Sequence, residues 1–172
     1  TRGTYKKSVF GEIEMQSLRW ILGATPDSLS QEHRISIREL FMTETGENYN
    51  DTVLESLKIP DWSGNMLLVE SDDSNAELLI QGVFWSKPIL ETNIRIVAFV
   101  IDSKAQNIGL GTKAMQKIIQ IARQKGRKII QLEVRKNNEN AQRFYKKFGF
   151  QISEKIPNYY KDDDGYVMKL FL

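Results

Sequence analysis

The run Gln106-Asn107-Ile108-Gly109-Leu110-Gly111-Thr112 combines residue types and a spacing that could do chemistry. Two glycines one residue apart let a backbone curl closely around a ligand, because they carry no Cβ and tolerate positive φ. A helix that starts there offers unpaired N–H groups and the positive end of its dipole. Together these features hold a phosphate or diphosphate without side-chain contacts. A Gly-x-Gly before a helix is as often a plain loop, so the flanking residues must decide. A P-loop needs four residues between its first glycine and Gly-Lys-Ser/Thr, and Gly109-Leu110-Gly111-Thr112-Lys113 lacks that spacing. The dinucleotide fingerprint comes closer: Gly109, Gly111 and Ala114 match G-x-G-x-x-A, and Glu133 follows about 20 residues on. Against it, Asp102–Ile108 separates the preceding strand from the first glycine. The roughly 40 residues after Glu133 also leave no room for the rest of a doubly wound sheet.

Composition narrows the remaining chemistry. The chain has no cysteine, which excludes disulfides, thiolate metal sites and a cysteine nucleophile together. His33 is the only histidine, so a catalytic triad or a multi-histidine metal centre would depend on that residue. We read His33 as a surface or packing residue and expect no metal. The net charge of +2 hides an asymmetry. Residues 1–103 hold 9 basic and 16 acidic side chains, whereas residues 104–147 hold 12 basic and 2 acidic ones. A basic block within a compact domain suits a polyanion such as nucleic acid, a nucleotide or coenzyme A, although lysines on a solvated helix face give the same pattern. No apolar run approaches the roughly 18 residues that cross a bilayer, and the polar, basic Thr1–Lys7 has no apolar run behind it to act as a secretion signal. The expectation is a cytoplasmic enzyme, a single domain over residues 1–172, monomer or homodimer.

The elements that must position the glycine turn are legible around it. Ile94–Ile101 is an almost continuous apolar run, as in a strand buried on both faces. Gly111–Lys125 carries Met115, Ile118, Ile119 and Ala122 at helical spacing, and Gly126 sits where a C-terminal cap belongs. Ile129–Val134 reads as a strand. Asn137 or Asn138 can cap a helix with the apolar face Ala141, Phe144, Tyr145 and Phe148, ended by Gly149. Gln151–Ile156 and Tyr166–Leu172 are further strands, joined by a loop containing Tyr159, Tyr160 and Asp162–Gly165. Upstream, Met66–Glu70 and Glu77–Trp85 form a hairpin around Ser71–Asn75. Thr52–Leu57 predicts a short helix after a turn at Gly46–Asp51. Gly11–Gly23, with Ile13, Leu18, Ile21 and Leu22, has a helical stripe that Thr25-Pro26-Asp27-Ser28 breaks. His33–Phe41 fits either a strand or a helix. The order gives a mixed α/β sheet with one right-handed parallel crossover.

At this point the chain resembles a known family. Gln106-x-x-Gly109-x-Gly111 looks like the acetyl-CoA signature Q/R-x-x-G-x-G/A of the GNAT acetyltransferases. Leu132-Glu133-Val134-Arg135 resembles the family's fifth strand, and Asn138-x-x-Ala141-x-x-x-Tyr145-x-x-x-Gly149-Phe150 resembles its following helix and turn. Asn158-Tyr159-Tyr160 and Tyr166-Val167-Met168 resemble the C-terminal hairpin of the protein N-terminal acetyltransferase branch, the ribosomal-protein alanine type included. The resemblance covers about residues 65–172. Residues 1–60 match poorly; Arg34–Leu40 would be the family's first strand, leaving Thr1–Ser30 as an extension. Gly165 stands where the branch often has alanine, with no consequence expected. The resemblance implies a GNAT-type α/β fold, with a mixed, mostly antiparallel sheet of six to seven strands, splayed in the middle and flanked by helices.

The resemblance also implies a site. Acetyl-CoA, as acetyl donor, would lay its pantetheine arm along Phe99, Val100 and Ile101. Its diphosphate would rest on the amides of Asn107, Ile108, Gly109, Leu110, Gly111 and Thr112, in the motif that Gln106 opens, and Asn138 would hydrogen-bond the arm. Lys113 and its basic neighbours would screen the charge. An amine attacks a thioester only when unprotonated, and free amines are mostly charged at pH 7. A general base removes that barrier, and Glu133, at its strand end, is the candidate. An N–H of Val100 or Ile101 would take the developing oxyanion. Tyr145, which matches the family tyrosine, would protonate the leaving thiolate.

Each assignment has a plainer alternative. Glu133 is otherwise a solvated strand end, Tyr145 a core tyrosine, and Tyr159 and Tyr160 a cover for the sheet end and not an acceptor wall. The Asn-Tyr-Tyr segment favours a protein or peptide N-terminus as acceptor, threaded between the Phe41–Tyr49 region and the C-terminal hairpin. Alternatives are a small amine drawn by Glu44, Glu47, Asp51 and Asp162–Asp164, a CoA-binding sensor without turnover, and a nucleic-acid binder. The last needs aromatics exposed between its basic residues, and Phe144, Tyr145 and Phe148 fall on a core stripe instead. No membrane partner is expected.

Overall fold

The computed structural model describes residues 5–7, 13–15, 17–72 and 75–172, with side chains over 18–70 and 79–172. Strands β1 (Tyr5–Lys7) and β2 (Ile13–Met15) pair antiparallel in a small sheet of their own. The main sheet comprises seven strands: β3 (Ser17–Leu22), β4 (Met66–Asp72), β5 (Asn75–Ile89), β6 (Asn93–Ile101), β7 (Ile129–Arg135), β8 (Gln151–Tyr160) and β9 (Asp163–Phe171). Their order is β3-β4-β5-β6-β7-β9-β8. The ladders β3–β4, β4–β5, β7–β9 and β8–β9 are antiparallel, and β6–β7 is parallel. The α-helices are α1 (Gln31–Thr45), α2 (Asp51–Ser56), α3 (Leu110–Gln124) and α4 (Glu139–Lys147). This is the mixed, mostly antiparallel α/β architecture implied by the sequence resemblance. Among the described residues, no helix is long and apolar enough to cross a membrane.

Two expectations upstream are corrected. Ser17–Leu22 is a strand and not part of a helix, paired from Ser17↔Ser71 to Leu22↔Met66. The helical reading passed over Trp20. As a strand, the segment sets Leu18 and Trp20 two residues apart, so both pack on one side, against Leu68, Ala105 and Leu110. Gly11, Glu12 and Gln16 of the expected helix, and Asp73 and Ser74 of the expected turn, lie outside the described residues. Second, Arg34–Leu40 belongs to α1 and is not the first strand; β3 takes that place. The Ser30 hydroxyl caps α1 by accepting the His33 N–H at 3.2 Å, and Gly46 ends it at φ 73°. Ile37, Leu40 and Phe41 are buried while Ile35 is 50% exposed, so the Ile35/Ile37 alternation does not mark a sheet face.

The chain packs as two compact units: the described residues up to Trp85 with Ala98–Gln116, and Ser86–Val97 with Lys117–Leu172. Strands β5 and β6 and helix α3 run from one into the other. In the first unit the buried cluster of Leu68, Ala105 and Leu110, with Leu18, Trp20, Ile101 and Ile108 packed on it, holds both ends of the glycine turn. Strand β5 also approaches β6 closely. A Cβ at Gly82 would lie 3.0 Å from the Val100 carbonyl oxygen and 3.0 Å from the Leu68 Cβ. In the second unit Ile130, Leu132 and Val134 of β7 are buried and alternate with partly exposed Gln131, Glu133 and Arg135. Among the described residues the β6–β7 ladder spans three pairs, Asn93↔Ile129 to Arg95↔Gln131, although β6 runs on to Ile101 and β7 to Arg135.

The C-terminal hairpin corrects two further points. Tyr159 and Tyr160 lie on β8 and not in a loop, since only Lys161 and Asp162 separate β8 from β9. Gly165 does have a consequence. A Cβ there would stand 2.9 Å from the Tyr159 Cβ, closer than real Cβ contacts come, so the glycine lets Tyr159 lie across β9.

Candidate active site

The glycine turn is built in the first unit. At the end of β6, Phe99 packs edge-on to Phe84 with centroids 4.9 Å apart. The Gln81 carbonyl accepts the Asp102 N–H at 2.7 Å, and a short 3₁₀ turn covers Ser103–Ala105. The side-chain amide of Gln106 then reaches back, donating to the Ile101 carbonyl at 2.7 Å and to Glu44 Oε2 at 3.4 Å. Asn107 and Gly109 adopt φ 61° and 87°, and α3 begins at Leu110. The Leu110 carbonyl accepts the Trp20 indole N–H at 2.9 Å. The Lys113 N–H reaches the Gly109 carbonyl at 3.1 Å, so the amides of Gly109, Leu110, Gly111 and Thr112 precede the first helical donor. A Cβ at Gly109 would meet nothing within 4 Å, so it is the positive φ and not a close approach that calls for glycine there.

Strand parity decides which backbone groups β6 presents. N–H and C=O groups of one strand residue point to the same edge, and those of the next residue to the opposite one. The Val100 carbonyl faces Gly82 and the Asp102 N–H bonds to Gln81, both on β5. Phe99 and Ile101 therefore present theirs to the other edge. The Ile101 carbonyl on that edge is taken by Gln106, and the Ile101 N–H points to the same edge.

In the second unit, the polar face of β7 is a row of pairs. The Asn93 amide donates to Gln131 Oε1 at 2.7 Å. The Arg95 Nε lies 3.1 Å from each carboxylate oxygen of Glu133, with the side chains 30% and 17% exposed. Arg95 Nη2 also reaches the Tyr159 hydroxyl at 3.5 Å. Burial works against the Arg95 charge, but Glu133 and then Tyr159 outweigh it and hold the guanidinium above its ordinary pKa. Arg135 pairs with Asp162 and lies over the Tyr160 ring, 4.4 Å from its centroid. Tyr145, on α4, packs against Phe144 and Phe150 at 5.4 and 5.7 Å. Burial, and then the negative charge of an ionised Tyr160, push its hydroxyl pKa above the usual tyrosine value.

Asn138 is the N-cap of α4, its Oδ1 accepting the Ala141 N–H at 3.1 Å. Its side-chain N–H groups are the ones left to donate elsewhere. Replacing Asn138 with Asp keeps the acceptor and removes that donor. If the donor serves the donor substrate, the KM for acetyl-CoA should rise roughly tenfold while Tm stays near wild type. Asn138→Ala should in addition lose about 1 kcal/mol of cap stability. Steady-state kinetics beside thermal unfolding separates the two functions of the side chain.

Each carboxylate of the acidic turn has a partner within the chain, although Asp162 is exposed. Asp162 is held by Arg135, Asp163 accepts the Asn137 N–H at 2.9 Å, and Asp164 accepts the Asn158 N–H at 2.8 Å and pairs with Lys155 at 3.5 Å. These partners hold Asp162 and Asp164 below the usual carboxylate range, through the Arg135 hydrogen bond and the Asn158 N–H respectively.

Sequence reasoning missed Arg95, and it read Glu44 only as a charge that could draw a small amine, not as a partner of Ser103 and Gln106. Arg95 left a signal, as the only charged residue in the Ile94–Ile101 run, where a charge needs a partner. The Glu44 contacts left none.

Comparison with known proteins follows the same lines. A model of the Acetyltransferase (GNAT) family matches residues 34–150. N-alpha-acetyltransferase 50 of Danio rerio is 42% identical over 57 residues, which make up 33% of this chain and 34% of that protein. The match thus spans about a third of that relative's length. Ard1 from Thermoplasma volcanium superposes with a TM-score of 0.71 at 26% identity, covering 91% of this chain and 97% of that one. Arabidopsis thaliana Naa50, in complex with the bisubstrate analogue CoA-Ac-MVNAL, is alike in fold, with a TM-score of 0.68 at 21% identity over 90% of this chain and 98% of that one.

Proposed function

We propose, for a chain that belongs to the GNAT acetyltransferase family, that the amine it acetylates is the α-amino group of a protein or peptide N-terminus. At the family level the chain is an acetyl-CoA-dependent N-acetyltransferase. The observation that carries the finer reading is the Glu133–Arg95–Tyr159 group, where one guanidinium holds both the candidate base and a tyrosine of the Asn-Tyr-Tyr segment. The partial likeness to N-alpha-acetyltransferase 50 supports it.

The residues present fit the donor. The glycine turn and the first-turn amides of α3 suit a diphosphate, and the edge of β6 that Ile101 faces suits an extended amide-bearing arm. Acetyl-CoA supplies the activated acyl group as a thioester; the other roles fall to the chain. Gln106 serves this site from within, by fixing the Ile101 carbonyl, and Asn138 donates to the arm. Strand parity favours the Ile101 N–H over that of Val100 as donor to the charge that develops on the acyl oxygen. Glu133, its orientation set by Arg95, takes the amine proton, and Tyr145 donates its hydroxyl proton or a hydrogen bond to the departing sulfur. Tyr159 and Tyr160 line the acceptor side.

The reading is tested by offering acetyl-CoA with a panel of peptides, polyamines and aminoglycoside-type amines. CoA release is followed and the product located by mass spectrometry. Peptides acetylated once, on the first residue, are the expected result. Turnover confined to small amines would replace the acceptor assignment, and tight CoA binding with no turnover would replace the enzyme by a sensor. Asp162–Asp164 already have partners in Arg135, Asn137, Asn158 and Lys155, which weakens one support for the small-amine alternative.

A further inference from the structure

Glu44 lies in the last turn of α1, which carries no basic residue. An anion at that end of a helix opposes the dipole, so its partners must account for its position. Oε1 accepts the Ser103 N–H at 2.9 Å and the Ser103 hydroxyl at 2.6 Å, while Oε2 accepts Gln106 Nε2 at 3.4 Å. The same Gln106 nitrogen donates to the Ile101 carbonyl at 2.7 Å. One carboxylate therefore gathers three donors from Ser103–Gln106 and, through Gln106, the end of β6.

We propose that Glu44 is a positioning residue for acetyl-CoA, fixing the segment that sets the first-turn amides of α3. The inference rests on the reading of Gln106–Thr112 as the diphosphate site. Within the turn Asn107 and Gly109 take positive φ, and Ile108 between them packs on the apolar cluster. That cluster also holds Ile101 and Ala105 before the turn and Leu110 after it, but its contacts are not directional. The directional side-chain contacts of the leading flank come from Glu44, which takes the Ser103 N–H and hydroxyl and Gln106.

Charge and positioning predict opposite signs, which makes the proposal decidable. A carboxylate near a polyanion repels it, so if Glu44 acted by charge alone its removal would tighten acetyl-CoA binding. If it positions the turn, removal weakens binding. The experiment is titration calorimetry with acetyl-CoA, beside steady-state kinetics, on the wild type, Glu44→Gln, Glu44→Ala, Ser103→Ala and Gly109→Val. Expected is a rise in Kd and in KM for acetyl-CoA of about tenfold for Glu44→Ala, less for Glu44→Gln and Ser103→Ala, with kcat within about twofold. Unchanged or tighter binding in the folded Glu44→Gln and Ser103→Ala proteins would overturn the inference, provided that Gly109→Val is weakened. No heat with the wild type, or full binding by Gly109→Val, would overturn the site reading itself.

Discussion

Glu133→Gln should lower kcat/KM by roughly 100- to 10,000-fold while leaving acetyl-CoA affinity and the fold in place. The glutamine keeps an oxygen for the Arg95 Nε and fills the same volume, so the Arg95 and Tyr159 contacts survive. What it loses is the capacity to take a proton. The pH dependence separates that loss from a structural one. An α-amino group titrates near pH 8, so most acceptor is protonated at pH 7 and free at pH 9. If Glu133 removes the ammonium proton, the deficit of the variant narrows by about tenfold across that interval. A deficit that stays constant with pH would mark Glu133 as an anchor for Arg95 and not as a base. Arg95→Met gives the complementary measurement: it leaves the carboxylate chemically intact but unoriented, so it should lose activity while keeping a pH profile that Glu133→Gln abolishes.

The fold from β4 onward was legible because its signals are local. Met115, Ile118 and Ala122 recur at the helical period, Gly126 and Gly149 stop their helices at φ 68° and 100°, and β7 alternates buried and exposed residues. The failures were of another kind. Ser17–Leu22 has apolar residues at both periods, and only pairing with β4, about 50 residues away, settles it as a strand. Tyr159 and Tyr160 sit among turn-forming residues, yet β9 draws them into the sheet because Gly165 makes room opposite. The site followed the same division. The turn, Glu133 and Tyr145 came from motifs, whereas the partners that orient them join residues 38 apart for Arg95 and Glu133 and 59 apart for Glu44 and Ser103. No periodicity reports such pairs.

Tyr145→Phe should cost kcat about 10- to 100-fold, less than the loss at Glu133, and the reason lies in its surroundings. Burial holds the hydroxyl proton above the ordinary tyrosine range, with Tyr160 adding to the effect. A raised pKa means that the protonated form persists as pH rises, so wild-type kcat should show no alkaline limb from Tyr145 below about pH 10. The same shift makes Tyr145 a reluctant acid. Free thiols titrate near 8.5, so complete proton transfer from this tyrosine to a thiolate runs uphill. A hydrogen bond to the sulfur as its charge develops does not, and it is worth more in a desolvated setting than in water. The distinction is measurable with acyl donors whose thiols differ in acidity. If Tyr145 stabilises the leaving sulfur, the Tyr145→Phe deficit shrinks as the thiol becomes more acidic, because less charge stabilisation is then required. A deficit independent of the leaving group would return Tyr145 to the core, as a packing partner of Phe144 and Phe150 with no part in departure.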